Sequence, residues 1–245
     1  MTFFLYDMDG TLTPSRNKMR ENMKAALTKY HSKGVTLAIV SGSDLPKIKE
    51  QVGDDIFVMF DYLFTENGLK IFHKGKCIHS NSLVETLGEK EYQILVNACL
   101  RVLSEVDLPV KRGVFLELRT GMLNVCPIGR SCTQVERDDF EEYDKVYHIR
   151  EKIVKKVQHI LHQNGITNIR MSIGGQISID VFPEGWDKTY ALQFIPKEEV
   201  VYFFGDRCFP GGNDYEISLR TDRIKKVFPV NSPEETIRYC DELVE

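Results

Sequence analysis

Residues 3–13 read Phe3-Phe4-Leu5-Tyr6-Asp7-Met8-Asp9-Gly10-Thr11-Leu12-Thr13, and this stretch decides the fold. Its four apolar or aromatic residues predict a short buried strand, which two aspartates and a glycine then break. Ligands of open α/β sheets bind outside the carboxyl ends of the strands, so a carboxylate pair at this position is placed for chemistry. On an extended backbone, Asp7 and Asp9 would project to the same side. The alternative is a polar turn without chemistry, because Asp and Gly favour turns.

The overall composition is that of a globular protein, with 245 residues, 42% hydrophobic and 28% charged. The net charge of −4 gives no reason to expect a nucleic-acid or anionic-membrane partner. The six cysteines show neither zinc spacing nor a disulfide pattern. With no signal peptide and no apolar run of about 18 residues, we expect a reduced, soluble, cytoplasmic protein.

Both ends of the chain alternate strands with helices. Helical spacing between Met19 and Tyr30 is followed by Val35–Val40, which predicts a second buried strand ending at Ser41. The order strand, helix, strand predicts a parallel βαβ unit, which would bring Ser41 beside Asp7. Ser41 could cap the next helix or contact a phosphate.

The C-terminal part returns to the same pattern. Lys188 falls in the first turn of a predicted helix, and Val200–Phe204 predicts a buried strand that ends at Asp206. Asn213 and Asp214 follow shortly after. These polar groups therefore all fall at strand or helix ends.

The middle of the chain has a different character. From residue 82 to residue 187 the predicted order is helix, hairpin, helix, helix, hairpin, which is typical of an α+β unit. In the second hairpin the apolar positions 177, 179 and 181 alternate with Gln176, Ser178 and Asp180. We expect a four-stranded antiparallel sheet with an apolar face against helices and a polar face that would ordinarily meet solvent.

The predicted fold class is therefore α/β with an insertion. A Rossmann-like core domain with a parallel sheet would comprise residues 1–81 and 188–245. An α+β cap domain built on the antiparallel sheet would comprise residues 82–187.

Three arginines of the insertion point to an anion. Arg119 would end a strand, Arg130 lies in a loop, and Arg137 lies in the first turn of the next helix. A cation at a helix N-terminus is locally unfavourable, which suggests an anion near Arg137. Arginine suits phosphate because its planar fork donates two hydrogen bonds and stays charged.

The run Asp-Met-Asp-Gly-Thr-Leu-Thr resembles the first motif of the haloacid dehalogenase-like superfamily, whose members mostly transfer phosphoryl groups through an aspartyl phosphate. The resemblance implies catalytic roles for Ser41 and Lys188 beside the aspartates. It also implies Mg²⁺ held by the Asp7 carboxylate, the backbone carbonyl of Asp9 and Asp206. Asn213 and Asp214 would support these groups.

Longer motifs sharpen the resemblance. They are Asp-Gly-Thr-Leu-Thr-Pro-Ser-Arg, Gly-Met-Leu-Asn-Val-Cys-Pro-Ile-Gly-Arg-Ser, Ile-Gly-Gly-Gln-Ile-Ser-Ile-Asp-Val-Phe-Pro-Glu-Gly-Trp-Asp-Lys and Pro-Gly-Gly-Asn-Asp-Tyr-Glu-Ile. They look like the eukaryotic-type phosphomannomutases almost end to end. The resemblance implies that Asp7 is the phosphorylated nucleophile and Asp9 the general acid/base. It implies a sugar-phosphate site composed of Arg16, Arg119, Arg130, Arg137, Ser178 and Asp180.

The resemblance also implies an activity and an assembly. The enzyme, an isomerase, would interconvert mannose 6-phosphate and mannose 1-phosphate, which supplies GDP-mannose for glycosylation. A hexose 1,6-bisphosphate would act as activator, and cap domains would form a homodimer. One stretch, Glu216–Asp222, departs from the family pattern in the loop that binds an extra cation, where Asp222 would be the ligand.

Three other interpretations stay open. A sugar-phosphate phosphatase of the same superfamily would share every core residue but transfer the phosphoryl group to water. A mutase could also act on glucose phosphates, which differ from mannose phosphates only at the 2-hydroxyl. A catalytically silent, partner-binding homologue is disfavoured because Asp7, Asp9 and Lys188 are all present. The several arginines favour the mutase, since a bisphosphate needs an anion site at each end.

Overall fold

The computed structural model describes residues 1–15 and 17–244, which form two compact units. The core unit comprises Met1–Ser80 and Gly185–Glu245, and the inserted unit comprises Asn81–Glu184. The strands of the core unit are β1 (Thr2–Tyr6), β2 (Thr36–Val40), β3 (Tyr62–Thr65), β4 (Lys70–His73), β5 (Lys76–Ser80), β10 (Val200–Gly205) and β11 (Ile224–Pro229).

Within the part of the core unit that the structure describes, these strands form one sheet in the order β11-β10-β1-β2-β3-β4-β5. The pairs from β11 to β3 are parallel, and β4 and β5 are antiparallel. The predicted parallel core is therefore confirmed. Because β1 lies between β2 and β10, the residues that follow these three strands meet at one edge of the sheet.

Apolar layers cover both faces of the sheet. Phe4 and Tyr6 pack into one buried cluster, and Phe3 and Leu5 pack into another. The near-continuous apolar sequence of β1 follows from burial on both faces. The helices of the core unit are α1 (Glu21–Ser32), α2 (Leu45–Val52), α3 (Ile56–Met59), α7 (Tyr215–Ser218) and α8 (Pro233–Val244), with 3-10 turns at Glu66–Gly68 and Lys188–Phe194.

The start of α2 tests the interpretation of Ser41 as a helix cap. The helix is capped by Asp44, whose side chain accepts a hydrogen bond from the backbone N–H of Lys47 at 3.1 Å. Ser41 lies too far upstream to cap it, so the capping interpretation is wrong. The Ser41 hydroxyl instead accepts a hydrogen bond from the backbone N–H of Ser43 at 3.1 Å.

The inserted unit is built on its own antiparallel sheet. Its strands are β6 (Leu116–Leu118), β7 (Leu123–Val125), β8 (Ile169–Gly174) and β9 (Ser178–Pro183), and its helices are α4 (Leu83–Ser104), α5 (Gln134–Tyr147) and α6 (Ile149–Gln163). Among the described residues the strand order is β6-β7-β9-β8, which confirms the predicted sheet. Helix α6 packs against β8 and β9. In residues 1–15 and 17–244, no helix has the length and apolar character needed to cross a bilayer.

Candidate active site

The candidate active site lies at the carboxyl edge of the core sheet. Asp7, Ser41 and Asp206 are the first residues after strands β1, β2 and β10, respectively. They line one cavity of about 240 Å³. The described residues that line it are Asp7, Asp9, Ser15, Ser41, Gly42, Ser43, Lys47, Asp206, Arg207 and Asn213.

A buried group of charges lies beneath this cavity. Nζ of Lys188 lies 2.5 Å from Oδ1 of Asp214 and also donates to Oδ1 of Asp7. Lys188 is only 2% exposed, and Asp214 is fully buried. Lys188 begins a 3-10 turn whose first residues are fixed by Asp187, which accepts a hydrogen bond from the Thr189 N–H at 2.8 Å. A rigid local turn therefore aims the ammonium group at both carboxylates.

Burial and charge act against each other in this group. Burial raises the pKa of the Asp7 carboxyl to about 7, Lys188 opposes the increase, and Asp214 adds to it. Burial also disfavours the charged form of Lys188, but Asp7 and Asp214 outweigh this and raise the pKa of Lys188. Burial raises the pKa of Asp206, and the charge of Asp214 adds to this shift. Three carboxylates thus share one ammonium group, and a further cation would relieve their repulsion.

The same carboxylates fit a hard metal ion. Oxygens of Asp7, Asp206 and Asp214 lie within 4.8 Å of one another. Carboxylate oxygens are the ligands that Mg²⁺ prefers. Gly10 keeps this space open, because a Cβ at this position would collide with the Asp206 carboxylate and its φ of +78° disfavours other residues. Sequence reasoning gave Asp214 only a supporting place, whereas its carboxylate belongs to the cluster itself.

Asp9 lines the cavity with Asp7 and has an unforeseen neighbour. Nε2 of Gln51 donates a hydrogen bond to Oδ1 of Asp9 at 3.2 Å. The signal for Gln51 was present in the sequence: it is a polar residue among the apolar positions Ile48 and Val52, at helical spacing. Without α2 in place, nothing connected it to Asp9.

The predicted metal ligand Asp222 is not part of this group of carboxylates. Asp222 holds Arg220 in a two-point pair, with distances of 2.8 and 2.9 Å, and it lines a different cavity of the core unit. Arg220 thus already supplies a positive charge to the Asp222 carboxylate. Arg16 lies outside the described residues.

The polar face of the inserted sheet carries the second set of predicted residues. Cross-strand neighbours Glu117, Asn124 and Asp180 form a row. Nδ2 of Asn124 donates to Oδ1 of Asp180 at 2.6 Å, and Nη1 of Arg130 donates to Oδ1 of Asn124 at 2.7 Å. Nε of Arg130 lies 3.2 Å from Glu117, which also pairs with Arg119 at 2.8 Å.

The polar face of the inserted sheet is shielded from solvent at several positions. Asn124 is 3% exposed and Ser178 is 8% exposed, and Asp180 is only partly exposed. Asn124 alternates with the apolar residues Leu123 and Val125 in the sequence. Its link between Arg130 and Asp180 depends on the pairing of the strands, which no local pattern shows.

The loop before α5 positions Arg130 and, through it, contacts Arg137. Gly129 has a φ of +85°, and a Cβ there would lie 2.5 Å from the carbonyl oxygen of Gly113. Glycine therefore lets the loop turn tightly and present Arg130. The Arg130 carbonyl accepts a hydrogen bond from Nη2 of Arg137 at 3.3 Å. The structure thus joins Arg119, Arg130 and Arg137 through short contacts within the inserted unit.

Comparison with known proteins places these features in a family. The sequence profile of the eukaryotic phosphomannomutases matches residues 23–245. The chain is 48% identical to a phosphomannomutase of Galdieria sulphuraria, covering 99% of this chain and 94% of that protein. It is 44% identical to one of Triticum aestivum, covering 96% and 92%. A sugar phosphatase of haloacid dehalogenase subclass IIB has a similar fold, with a TM-score of 0.59, 16% identity and 99% coverage of both chains.

Proposed function

Because the chain belongs to the eukaryotic phosphomannomutase family, we propose that it interconverts mannose 6-phosphate and mannose 1-phosphate through a phosphorylated Asp7. The family is one of isomerases that transfer a phosphoryl group between two positions of a sugar. The observation that carries the proposal is the contact of Asp7 with Lys188 beside a cavity that Asp9 also lines. A nucleophile and a second carboxylate are both needed for this chemistry.

Asp7 and Asp9 divide the reaction between them. With Asp7 phosphorylated, Asp9 takes the proton of the sugar 1-hydroxyl, whose oxygen attacks the phosphorus, and the bond from phosphorus to Asp7 breaks. The product is mannose 1,6-bisphosphate, which must turn around. Asp7 then attacks the 6-phosphate, Asp9 returns its proton to the departing O6, and mannose 1-phosphate leaves. A hexose 1,6-bisphosphate supplies the first phosphoryl group in the same way and is therefore an activator.

The other site residues of the core unit would stabilise the negative charge of the transferred phosphoryl group. Asp7, Asp206 and Asp214 would hold Mg²⁺ with the backbone carbonyl of Asp9. When bound, Mg²⁺ would offset the repulsion between the nucleophilic carboxylate and the phosphate. Lys188 adds a fixed positive charge, and the hydroxyl of Ser41 would donate a hydrogen bond to a phosphate oxygen.

The inserted unit would recognise the rest of the substrate. We assign phosphate binding to Arg119, Arg130 and Arg137, because guanidinium groups bind phosphate through two hydrogen bonds. Arg16 has the same assigned role on the basis of the family motif. Ser178 and Asp180 would bind the phosphate and the sugar hydroxyls.

A homodimer would form through the inserted unit. An apolar groove of about 310 Å³ is lined by Leu100, Leu103 and Phe115, together with Ser104 and Lys111. Leu100 is 47% exposed, whereas Cys99 and Leu103 of the same helix are buried. A second copy of the chain would cover it. In the cytoplasm, the product would feed GDP-mannose synthesis for glycosylation.

A sugar-phosphate phosphatase is the second candidate, because it would use the same core residues. Protein, Mg²⁺, mannose 1-phosphate and a trace of glucose 1,6-bisphosphate would be mixed and the products followed. We expect mannose 6-phosphate with little inorganic phosphate. Inorganic phosphate without mannose 6-phosphate would overturn the mutase. A parallel reaction with glucose 1-phosphate measures the preference between the two sugars.

The variant Asp7→Asn tests the covalent step. It keeps the size of the side chain but removes the nucleophilic charge, so we expect no turnover of either sugar phosphate. Continued turnover would exclude a phosphorylated Asp7.

A further inference from the structure

Gln51 occupies a position where an apolar residue would be expected. It lies near the end of α2, between the buried residues Ile48 and Val52 on the core-facing side. Its side chain is 7% exposed. Its backbone carbonyl accepts a hydrogen bond from the Met19 N–H at 2.7 Å, which ties this end of α2 to the segment before α1. The backbone that carries the Gln51 amide is therefore held in place by the helix and by this hydrogen bond.

Only one end of the Gln51 side-chain amide is hydrogen-bonded. Nε2 donates to Oδ1 of Asp9 at 3.2 Å, but Oε1 is buried and has no hydrogen-bond partner among the described residues. A buried acceptor without a partner is destabilising. An isosteric apolar side chain such as methionine would fill the same volume without this cost. Packing alone therefore does not account for glutamine.

We propose that Gln51 is a positioning residue that holds the carboxylate of Asp9 towards the reacting sugar oxygen. The inference rests on the proposed function, in which Asp9 exchanges a proton with that oxygen. A carboxylate only accepts hydrogen bonds, so the NH₂ group of the amide must face Asp9. This hydrogen bond restricts the rotation of the Asp9 carboxylate, which lines the cavity where the substrate would bind.

This role predicts which reactions depend on Gln51. Transfer from a sugar bisphosphate to Asp7 releases an alkoxide that needs a proton, so it depends on the orientation of Asp9. Transfer from p-nitrophenyl phosphate releases a stable phenolate and needs no proton donor. A change at Gln51 that acts through Asp9 should slow the first reaction and spare the second.

The test compares Gln51→Met with the wild-type enzyme in the presence of Mg²⁺. We expect kcat with mannose 1-phosphate to fall by about 10- to 100-fold, since small misplacements of catalytic groups cost up to about 100-fold. The single-turnover burst of p-nitrophenolate should keep its rate, and the thermal midpoint should stay equal or rise. Glu50→Gln, an exposed change on the same helix, is the control and should leave all three quantities unchanged.

The double variant Asp9→Asn with Gln51→Met separates this inference from the proposed function. If Gln51 acts through Asp9, the double variant is no slower than Asp9→Asn alone. If Asp9→Asn slows the mutase but Gln51→Met does not, the role of Gln51 is overturned while the proposed function stands. If Asp9→Asn has no effect on transfer from the sugar bisphosphate, both are overturned. An equal loss in the sugar and p-nitrophenyl phosphate reactions would also overturn the role of Gln51.

Discussion

Lys188 and Asp214 form an ion pair that is shut off from solvent, with 2.5 Å between Nζ and Oδ1. Removing one partner of such a pair leaves a buried charge with less compensation, which typically costs about 3–5 kcal/mol. In Asp214→Ala, Lys188 keeps Asp7 but the backbone N–H of Arg207 loses its acceptor. We therefore expect the free energy of unfolding to fall by less than this amount, about 1–3 kcal/mol, measured by urea denaturation at pH 7. Asp54→Ala, at an exposed site, should change it by less than about 0.5 kcal/mol. Equal stability of both variants would contradict a stabilising role for the pair.

Asp7 should make the metal-free protein less stable as the pH rises. The pKa of its carboxyl is raised from the ordinary value of 3.8 to about 7 in the folded protein, so the folded state holds this proton more tightly than the unfolded chain. The resulting stabilisation is complete below about pH 4 and is lost as the pH rises through 7. Asp7→Asn cannot ionise and leaves Lys188 paired with Asp214. We therefore expect this variant to gain stability relative to wild type between pH 5 and pH 8.

Urea denaturation in EDTA at several pH values measures this gain. A difference between Asp7→Asn and wild type that does not change with pH would rule out a raised pKa for Asp7. Adding Mg²⁺ should reduce the difference, because a bound cation favours the ionised carboxylate.

The core could be predicted from the sequence because its signals are local. The apolar run of β1 and its break at Asp7 indicate a buried strand that ends in a polar turn. The alternation of strands and helices then specifies parallel pairing. Strand β11 was missed, since Lys225 and Lys226 interrupt its apolar pattern. Lysines are tolerated there because β11 lies at the edge of the sheet.

The contacts inside each site could not be predicted, because they join residues that are distant in the sequence. The pairing of Lys188 with Asp7 spans 181 positions. The family motif implied that both residues serve one site, but only the fold supplies their geometry. Similarly, Asn124 meets Asp180 only through the register of β7 against β9. The pair Gly174-Gly175 is typical of a two-residue hairpin turn, but β8 continues through Gly174, and of these two residues only Gly175 has a positive φ.

Asp206 should be needed for metal binding more than for folding. Mg²⁺ that binds only the folded protein raises its stability with concentration. We expect the thermal midpoint of the wild type to rise as Mg²⁺ is added and that of Asp206→Ala to rise much less. Asp222→Ala is the matched control: if the Asp222 carboxylate serves only Arg220, this variant keeps the full response. A normal Mg²⁺ response in Asp206→Ala would contradict the assigned ligand set.

Arg130 should contribute to substrate binding and little to stability. Its side chain is 29% exposed, and its partners include Asn124 and Glu117. Losing hydrogen bonds to a charged ligand costs about 1.5–3 kcal/mol, which corresponds to roughly a 10- to 150-fold rise in KM. We expect Arg130→Gln to show this rise for mannose 1-phosphate with an unfolding free energy within about 1 kcal/mol of wild type. An unchanged KM would remove Arg130 from the sugar-phosphate site.

Arg150 should fix the turn that carries Ser178. Its Nε lies 2.7 Å from Oδ2 of Asp144, and its Nη1 donates to the carbonyl oxygens of Gly175 at 2.9 Å and Ser178 at 3.3 Å. Both charged residues are buried. Arg150→Met leaves the buried Asp144 carboxylate without its cationic partner. We therefore expect a loss of about 3–5 kcal/mol in the free energy of unfolding.

The double variant Asp144→Leu with Arg150→Met separates charge burial from support of the turn. An apolar replacement of a buried ion pair is often neutral or stabilising, so much of the lost stability should return. In both variants the carbonyl groups of Gly175 and Ser178 lack their donor, so the turn is held less firmly. We therefore expect both variants to have a higher KM for mannose 1-phosphate than wild type. Urea denaturation and steady-state kinetics on the same samples measure both quantities. A double variant that regains stability and wild-type KM together would show that Ser178 is positioned without Arg150.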